Sequence, residues 1–273
     1  LVVLAGLLQK NGYPVASAWS LTFFVLAAVF LSLCLYHFFI LPYPPADRSA
    51  PTTKGKNLLD EYLRIITLFF RRKDIVVIIC FFLFYRFAEA QLVKMVAPFL
   101  LDAREKGGLG LSTAEVGWIY GTAGVVALML GGILGGYAIY RRGLKFWLWP
   151  MVIIMHLPDL IFVYLSHVQP ESIWFIGWAV AVEQFGYGFG FTAYTMYMIM
   201  VSQGRYKTVF YAIATGIMAL GMMLPSMMSG WIQERLGYIN FYYWILITTI
   251  PGFIVAALVK IDADYGKKEA VDK

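Results

Sequence analysis

The chain has 273 residues, of which 60% are hydrophobic and only 14% charged, with a formal net charge of +6. Soluble domains carry about 25% charged residues, so this composition excludes an ordinary soluble domain and points to a polytopic membrane protein. The positive balance does not signal nucleic acid, because the cations sit in the connections between apolar runs, where they set topology. The two cysteines, Cys34 and Cys80, lie inside apolar runs and read as small packing residues rather than a disulfide or metal pair.

The sequence opens at Leu1 partway through an apolar run with no basic segment ahead of it. It is therefore not expected to be a signal peptide, and reads as the carboxy-terminal part of a longer protein. Leu1 to about Gln9 is expected to end one span, and a polar turn over Lys10–Pro14 leads into the next, from about Ser17 to Leu41. The stretch PYPPADRSAPTTKGK, rich in proline and small residues, reads as a linker. Behind it, NLLDEYLRIITLFFRR puts Leu59, Leu63, Ile66 and Phe70 near one face, which predicts an amphipathic helix at the membrane surface. Further spans are expected at about Ile75–Leu101, Ala114–Tyr140, Leu144–Ser166, Ser172–Val201, Val209–Glu234 and Ile239–Val259, making seven spans.

Lysine and arginine orient these spans. The linker and surface helix carry Arg48, Lys54, Lys56, Arg64, Arg71, Arg72 and Lys73; two spans later come Arg141, Arg142 and Lys145, then Arg205 and Lys207, and finally Lys267 and Lys268. The alternate connections are poorer in net positive charge, so the linker, every second loop and the carboxy terminus are expected to be cytoplasmic. One span before a large cytoplasmic linker and six after it is what remains of a twelve-span transporter without its first five spans. The expected organisation is the end of an amino-terminal helical half over residues 1–41, a linker with its surface helix over 42–74, a six-helix bundle over 75–260 and a cytoplasmic tail over 261–273.

The span IVVIICFFLFYRFAEAQLVKMVAPFLL holds Arg86, Glu89, Gln91 and Lys94 near its middle. A charge near the bilayer centre costs about 2.5–3.5 kcal/mol, so these groups must face protein or water. Arg86 and Glu89 lie about 60° apart around the helix, on adjoining faces. One reading is a polar pathway or substrate site; the other is a structural ion pair locking helices together. The next span is rich in glycine, with Gly117/Gly121 and Gly131/Gly135 at the four-residue spacing that lets helices approach closely. The span after it holds His156, Pro158 and Asp159. Pro158 predicts a kink, and Asp159 is either a buried proton carrier or, nearer the outer mouth, merely solvated. His156 reads as packing or as a titrating group. No histidine, carboxylate or cysteine set has metal-ligand spacing, and no cofactor is expected.

The run WAVAVEQFGYGFGFTAYTMYMIM carries Glu183 and Gln184 ahead of Gly186, Gly188 and Gly190, which could let the helix bend. Gln184, Tyr187, Phe191, Tyr194 and Met198 follow three/four spacing and share one face. Rings beside a carboxylate and an amide suit a sugar or peptide; a tyrosine-rich packing face is the competing reading. Paired interrupted, charge-bearing helices mark the central site of many transporters, and here they are the spans of Glu89 and Glu183. Pro225 and Pro251 are expected bends, and the methionines of Met218–Met228 fill packing gaps.

Two features carry a family resemblance. GYAIYRRGLK matches the loop signature of major facilitator transporters at Gly136, Arg141, Gly143 and Lys145, with Tyr140 standing where the signature has an acid. The stretch Tyr85–Pro251, with YRFAEAQLVKMVAPFLL, GLGLSTAEVGWIYGTAGVVALMLGGILGG and KTVFYAIATGIMALGMMLPSMMSGWIQERLGY, resembles the AmpG-type muropeptide permeases of the peptide/acetyl-coenzyme A/drug transporter group. The resemblance implies an all-α major facilitator fold in a bacterial inner membrane and proton-driven import of anhydro-muropeptides.

The expected protein is thus a non-enzymatic secondary transporter whose partners are a small sugar-peptide, protons and the lipid bilayer. Arg86, Gln91, Lys94, Gln184, Tyr187 and Tyr194 are the candidate substrate-binding residues. Glu89, Glu183 and Asp159 are the candidate proton carriers. A symporter for another sugar or small solute, and a membrane sensor or scaffold that no longer transports, are the alternatives.

Overall fold

The computed structural model describes residues 1–41 and 58–268, so the expected linker over 42–57 and the tail beyond 268 lie outside the described residues. Every long regular element among the described residues is helical, as a bilayer requires of a chain that must satisfy its own backbone groups. Two compact units divide the chain, Leu1–Arg64 and Ile65–Lys273.

In the first unit, α1 (Val2–Lys10) and α2 (Val15–Ile40) are joined through Gly12, whose φ of 90° favours glycine. The 26 residues of α2 rise about 1.5 Å each, enough for a core about 30 Å thick. Phe24, Phe38 and Phe39 are exposed along α2, as lipid-facing side chains would be.

Helix α3 (Leu58–Phe70) is followed in the second unit by α4 (Ile75–Phe84) and α5 (Phe87–Leu101). Ile65 and Phe69 of α3 are buried with Phe210, while Leu63, Ile66 and Phe70 are exposed. The pair buried here, Ile65 and Phe69, is offset from the stripe read from the sequence. Arg72 fixes this corner: it lies over the Phe210 ring, 4.2 Å from the centroid, and donates to the backbone oxygens of Val201 and Gln203.

The glycine-rich run is α6 (Thr113–Trp118), a π-helical turn over Ile119–Gly124 and α7 (Val125–Arg142). Ser112 and Glu115 cap its start reciprocally, with Ser112 N–H donating to Glu115 Oε2 over 2.8 Å. Gly143, at φ 83°, separates α7 from α8 (Leu144–His156). Pro158 divides α8 from α9 (Asp159–Val168), where the kink was expected. The next helix, α10 (Ile173–Ser202), is one unbroken rod of 30 residues.

Helix α11 (Lys207–Thr248) is helical except at Gly237, with φ 71° and ψ 167°. The chain reverses there. Before the break, Ser226 donates to the carbonyl of Ala90, 2.6 Å away, and Gly221 packs on the Phe82 carbonyl. After it, Tyr238 meets Asp102 and Trp244 meets Gln91, and beyond α12 (Ile250–Leu258) Lys260 pairs with Asp74. The first limb therefore runs parallel to α4–α5 and the second antiparallel. The expected bend at Pro251 is the junction at Thr249, whereas Pro225 leaves α11 helical.

Among the described residues, five helical runs are long and apolar enough to cross a membrane: Val15–Ile40, Ile75–Leu101, Thr113–Arg142, Leu144–Val168 and Lys207–Leu258. The difference from the seven expected lies in two places. The 52-residue run holds both limbs of the Gly237 reversal, and α10 is diluted by glycine, tyrosine and tryptophan. The chain is an all-α, multi-pass membrane protein.

Glycine holds the second unit together. A Cβ on Gly131 would lie 2.2 Å from the Phe185 carbonyl oxygen, and one on Gly188 2.1 Å from that of Leu128, so α7 and α10 meet backbone to backbone. Gly186 does the same against the Ile154 carbonyl of α8, and Gly190 lies against the Met151 carbonyl and the Met155 side chain. The Gly131/Gly135 pair thus makes the close approach expected of it, while Gly121 has nothing near its Cβ position.

Candidate functional site

Helices α4 and α5 do not form one continuous rod. Arg86 leaves helical geometry, with φ −112° and ψ 20°, and its side chain turns to α10. Its guanidinium lies 4.3 Å from the Phe191 centroid, 4.9 Å from Tyr187 and 6.0 Å from Tyr194. It also donates to the Tyr187 hydroxyl. The three rings form a ladder: Tyr187–Phe191 and Phe191–Tyr194 stack at 6.0 and 5.8 Å, with interplanar angles of 26° and 20°. The face read from the spacing of α10 is therefore present, and a cation already sits on it. Cation–π contact of this kind is worth about 2 kcal/mol or more when desolvated.

Around this ladder lie buried carboxylates. Glu89, Asp159 and Glu183 are each fully buried. Glu183 accepts from the side-chain amide of Gln184 over 3.0 Å. The charges acting on Glu89 are those of Glu183, Asp159 and Arg86, drawn together from three helical runs. Tyr120, in the π-helical turn, lies beside Glu183 and Glu89. Such turns gather at functional positions, and apolar periodicity gave no sign of this one. Among the described residues no ion pair joins Arg86 to a carboxylate. The expected choice between a solvated and a buried Asp159 falls on burial.

The fold also assembles what spacing along the chain did not offer. Glu89, His156 and Asp159 each present a ligand-type atom, and these atoms all lie within 4.8 Å of one another. Spacing along the chain gave no sign of this cluster, because it is assembled across helices: α5 supplies Glu89, while the α8 end and the α9 start supply the other two.

The remaining candidates sit differently. Gln91 accepts from the Trp244 indole over 2.9 Å and donates to the Phe87 carbonyl, so both ends of its amide serve helix packing. Lys94 is exposed. The Tyr194 hydroxyl donates to the Phe82 carbonyl over 3.0 Å, inside the core. The paired, interrupted helices expected around Glu89 and Glu183 are found only on the Glu89 side. The glycines of α10 serve close packing instead of bending it, so the backbone around Glu183 is held straight by its neighbours.

At the loop motif, Gly136 and Lys145 are exposed and Arg141 donates to the Tyr137 hydroxyl over 3.3 Å. The carboxy-terminal segment closes over the loop. The Leu144 N–H donates to the Tyr265 carbonyl and that of Lys268 to the Tyr140 carbonyl, both over 2.9 Å. A backbone contact thus stands at Tyr140, where the signature has its acid.

No family model matches the chain. Similarity to curated proteins is nonetheless extensive. The chain is 25% identical over 250 residues to "Putative transporter AmpG 4" of Rickettsia conorii, covering 87% of this chain and 56% of that protein. It is 26% identical over 214 residues to "Putative transporter AmpG 1" of Rickettsia prowazekii, covering 75% and 46%. It is 22% identical over 247 residues to the "Anhydromuropeptide permease" of Escherichia coli, covering 90% and 48%. The chain therefore spans about half the length of the curated relatives it matches. These similarities bear out the AmpG-like resemblance, and the helical, multi-pass membrane architecture of the described residues agrees with it. The names are those of transporters and a permease, in agreement with a non-enzymatic protein.

Proposed function

We propose that this AmpG-like chain belongs to a proton-coupled secondary transporter that imports muropeptides, or related sugar-containing cell-wall fragments, across a bacterial inner membrane. The observation that carries the reading is the burial of Glu89, Glu183 and Asp159 in apolar helices beside a guanidinium seated on stacked rings. Ionisable groups within membrane helices are costly, and they mark substrate or proton pathways by default. The name of the Escherichia coli relative supplies the cargo class.

In this reading residues 75–260 form a six-helix bundle that rocks against the amino-terminal helices, exposing a central site alternately to each side. Residues 42–74 are the cytoplasmic linker with its surface helix, and the tail over 261–273 is cytoplasmic. Tyr187 and Phe191 stack on apolar sugar faces and Gln184 binds hydroxyls or amides. Arg86 meets an acidic group of the cargo, for which its planar fork is suited. One of the three buried carboxylates takes a proton from outside and gives it up inside, because a neutral carboxyl crosses the apolar interior at far lower cost than a charged one.

The test is uptake by the full-length protein in proteoliposomes, offering labelled anhydro-muropeptide and a simple disaccharide with and without an inward proton gradient. Gradient-dependent accumulation of the muropeptide is expected. Uptake of the disaccharide alone would overturn the cargo, and no flux of either would favour a sensor or scaffold. Glu183→Gln is expected to keep cargo exchange while abolishing gradient-driven accumulation.

A further inference from the structure

We infer that Glu89, His156 and Asp159 form a binding site for a divalent first-row metal cation, buried where α5 meets the α8–α9 break. Glu89 and Asp159 are fully buried and His156 is 4% exposed. Both oxygens of Glu89, both oxygens of Asp159 and both ring nitrogens of His156 lack a hydrogen-bond partner. The contact between His156 Nδ1 and Asp159 Oδ2, at 3.5 Å, is long for a hydrogen bond. The large majority of buried side-chain polar atoms have a partner, so three unpartnered side chains that each present a ligand-type atom within 4.8 Å of the others call for an occupant.

Charge selects the occupant. The two carboxylates and a neutral imidazole carry a formal charge of −2, and the charges of Glu183 and Arg86, which also act on Glu89, are opposite in sign. Arg86, the nearby cation, is engaged with Tyr187 and the ring ladder. A monovalent ion leaves the cluster charged, whereas a divalent ion brings it to neutrality, the least costly state in an apolar interior. The imidazole favours a borderline metal such as Zn²⁺ over the hard, oxygen-seeking Mg²⁺ and Ca²⁺. An ion about 2.1 Å from each donor sets tetrahedral donors roughly 3.4 Å apart. The present spread of up to 4.8 Å then closes through small rotations of the two carboxylates.

The surroundings leave room for this. Glycine at 252 keeps a side chain off His156, since a Cβ there would stand 3.3 Å from Nε2. Gly186 lets α10 approach Pro158, the residue before Asp159. His156 also borders a pocket of about 280 Å³ with Leu157, Thr249 and Phe253. The inference goes beyond the transport reading and narrows it: with Glu89 and Asp159 committed to a cation, Glu183 is the carboxylate left for the proton.

The experiment is a Zn²⁺ titration of the full-length, tag-free protein in nanodiscs after chelator treatment, compared with Glu89→Gln, Asp159→Asn, His156→Ala and the exposed control His167→Ala. Each of the first three is expected to weaken one class of binding by roughly tenfold or more, the scale on which even outer-shell partners act, while the control binds as wild type. X-ray absorption of the Zn²⁺-loaded wild-type protein should then report one imidazole with oxygen ligands, independent of whether any variant folds. Absence of binding, equal binding in all four variants, or a shell without imidazole would each overturn the site. None of these readouts requires transport, so failure here leaves the uptake test standing.

Discussion

Helices α5 and α10 each bring a carboxylate into an apolar interior, yet they do it differently. Helix α5 starts afresh at Arg86, and the break lets that side chain turn onto α10. Helix α10 runs through Glu183 without interruption, gripped by α7 and α8 at glycines where no Cβ fits. One is a rigid platform bearing rings and a carboxylate; the other is a jointed element bearing the cation and the second carboxylate. The contrast shows that glycines in a membrane helix need not mean flexibility. Where neighbouring backbones fill the space, they straighten it.

The sharpest way to break this contrast is to add one carbon to the platform. Gly188→Ala places a Cβ against the Leu128 carbonyl and is expected to cost about 3 kcal/mol or more, at or beyond the upper end for overpacking. Gly136→Ala, with nothing near its Cβ position, is expected to gain up to about 1 kcal/mol from helix propensity. Reversible unfolding in mixed micelles, read on both variants, compares them directly; equal effects would refute backbone contact as the reason α10 is straight.

The joint comes next. Arg86→Met removes the guanidinium from three rings and is expected to destabilise by about 2 kcal/mol. Binding of the muropeptide to the full-length protein should fall with it. Intact stability with lost binding would assign Arg86 to the cargo alone, and lost stability with intact binding would assign it to packing alone.

Smaller effects separate the rings from one another. Tyr194→Phe loses the bond to the Phe82 carbonyl, worth about 1 kcal/mol, and is expected to leave cargo affinity unchanged. Tyr187→Phe is expected to lower it. A chemical denaturation series with a binding isotherm for each variant checks both. Lys94→Ala, at an exposed position, should shift stability by no more than about 0.5 kcal/mol; a larger loss would place Lys94 in a buried contact of the full-length protein.

Much of this was legible along the chain. The apolar runs, the charges inside them, the kink at Pro158 and the shared face of Tyr187, Phe191 and Tyr194 follow from composition, proline chemistry and helical periodicity. The break at Arg86 was not legible, because YRFAEA contains no proline or glycine to announce it. Nor was the engagement of Gln91 with Trp244, since the two residues are brought together only by the reversal at Gly237.

What the sequence by itself determined is the class of protein, an all-α membrane chain whose helices carry ionisable groups. Which helix faces which was decided only by tertiary structure, and the reason lies in the solvent. In water, the apolar stripe of a helix points to its core. In a bilayer, apolar side chains suit lipid and core alike, and packing is chosen by small residues and polar contacts between helices. Periodicity therefore located Glu89 on one span and His156 and Asp159 on another, while only the packed helices bring ligand-type atoms of all three within 4.8 Å of one another.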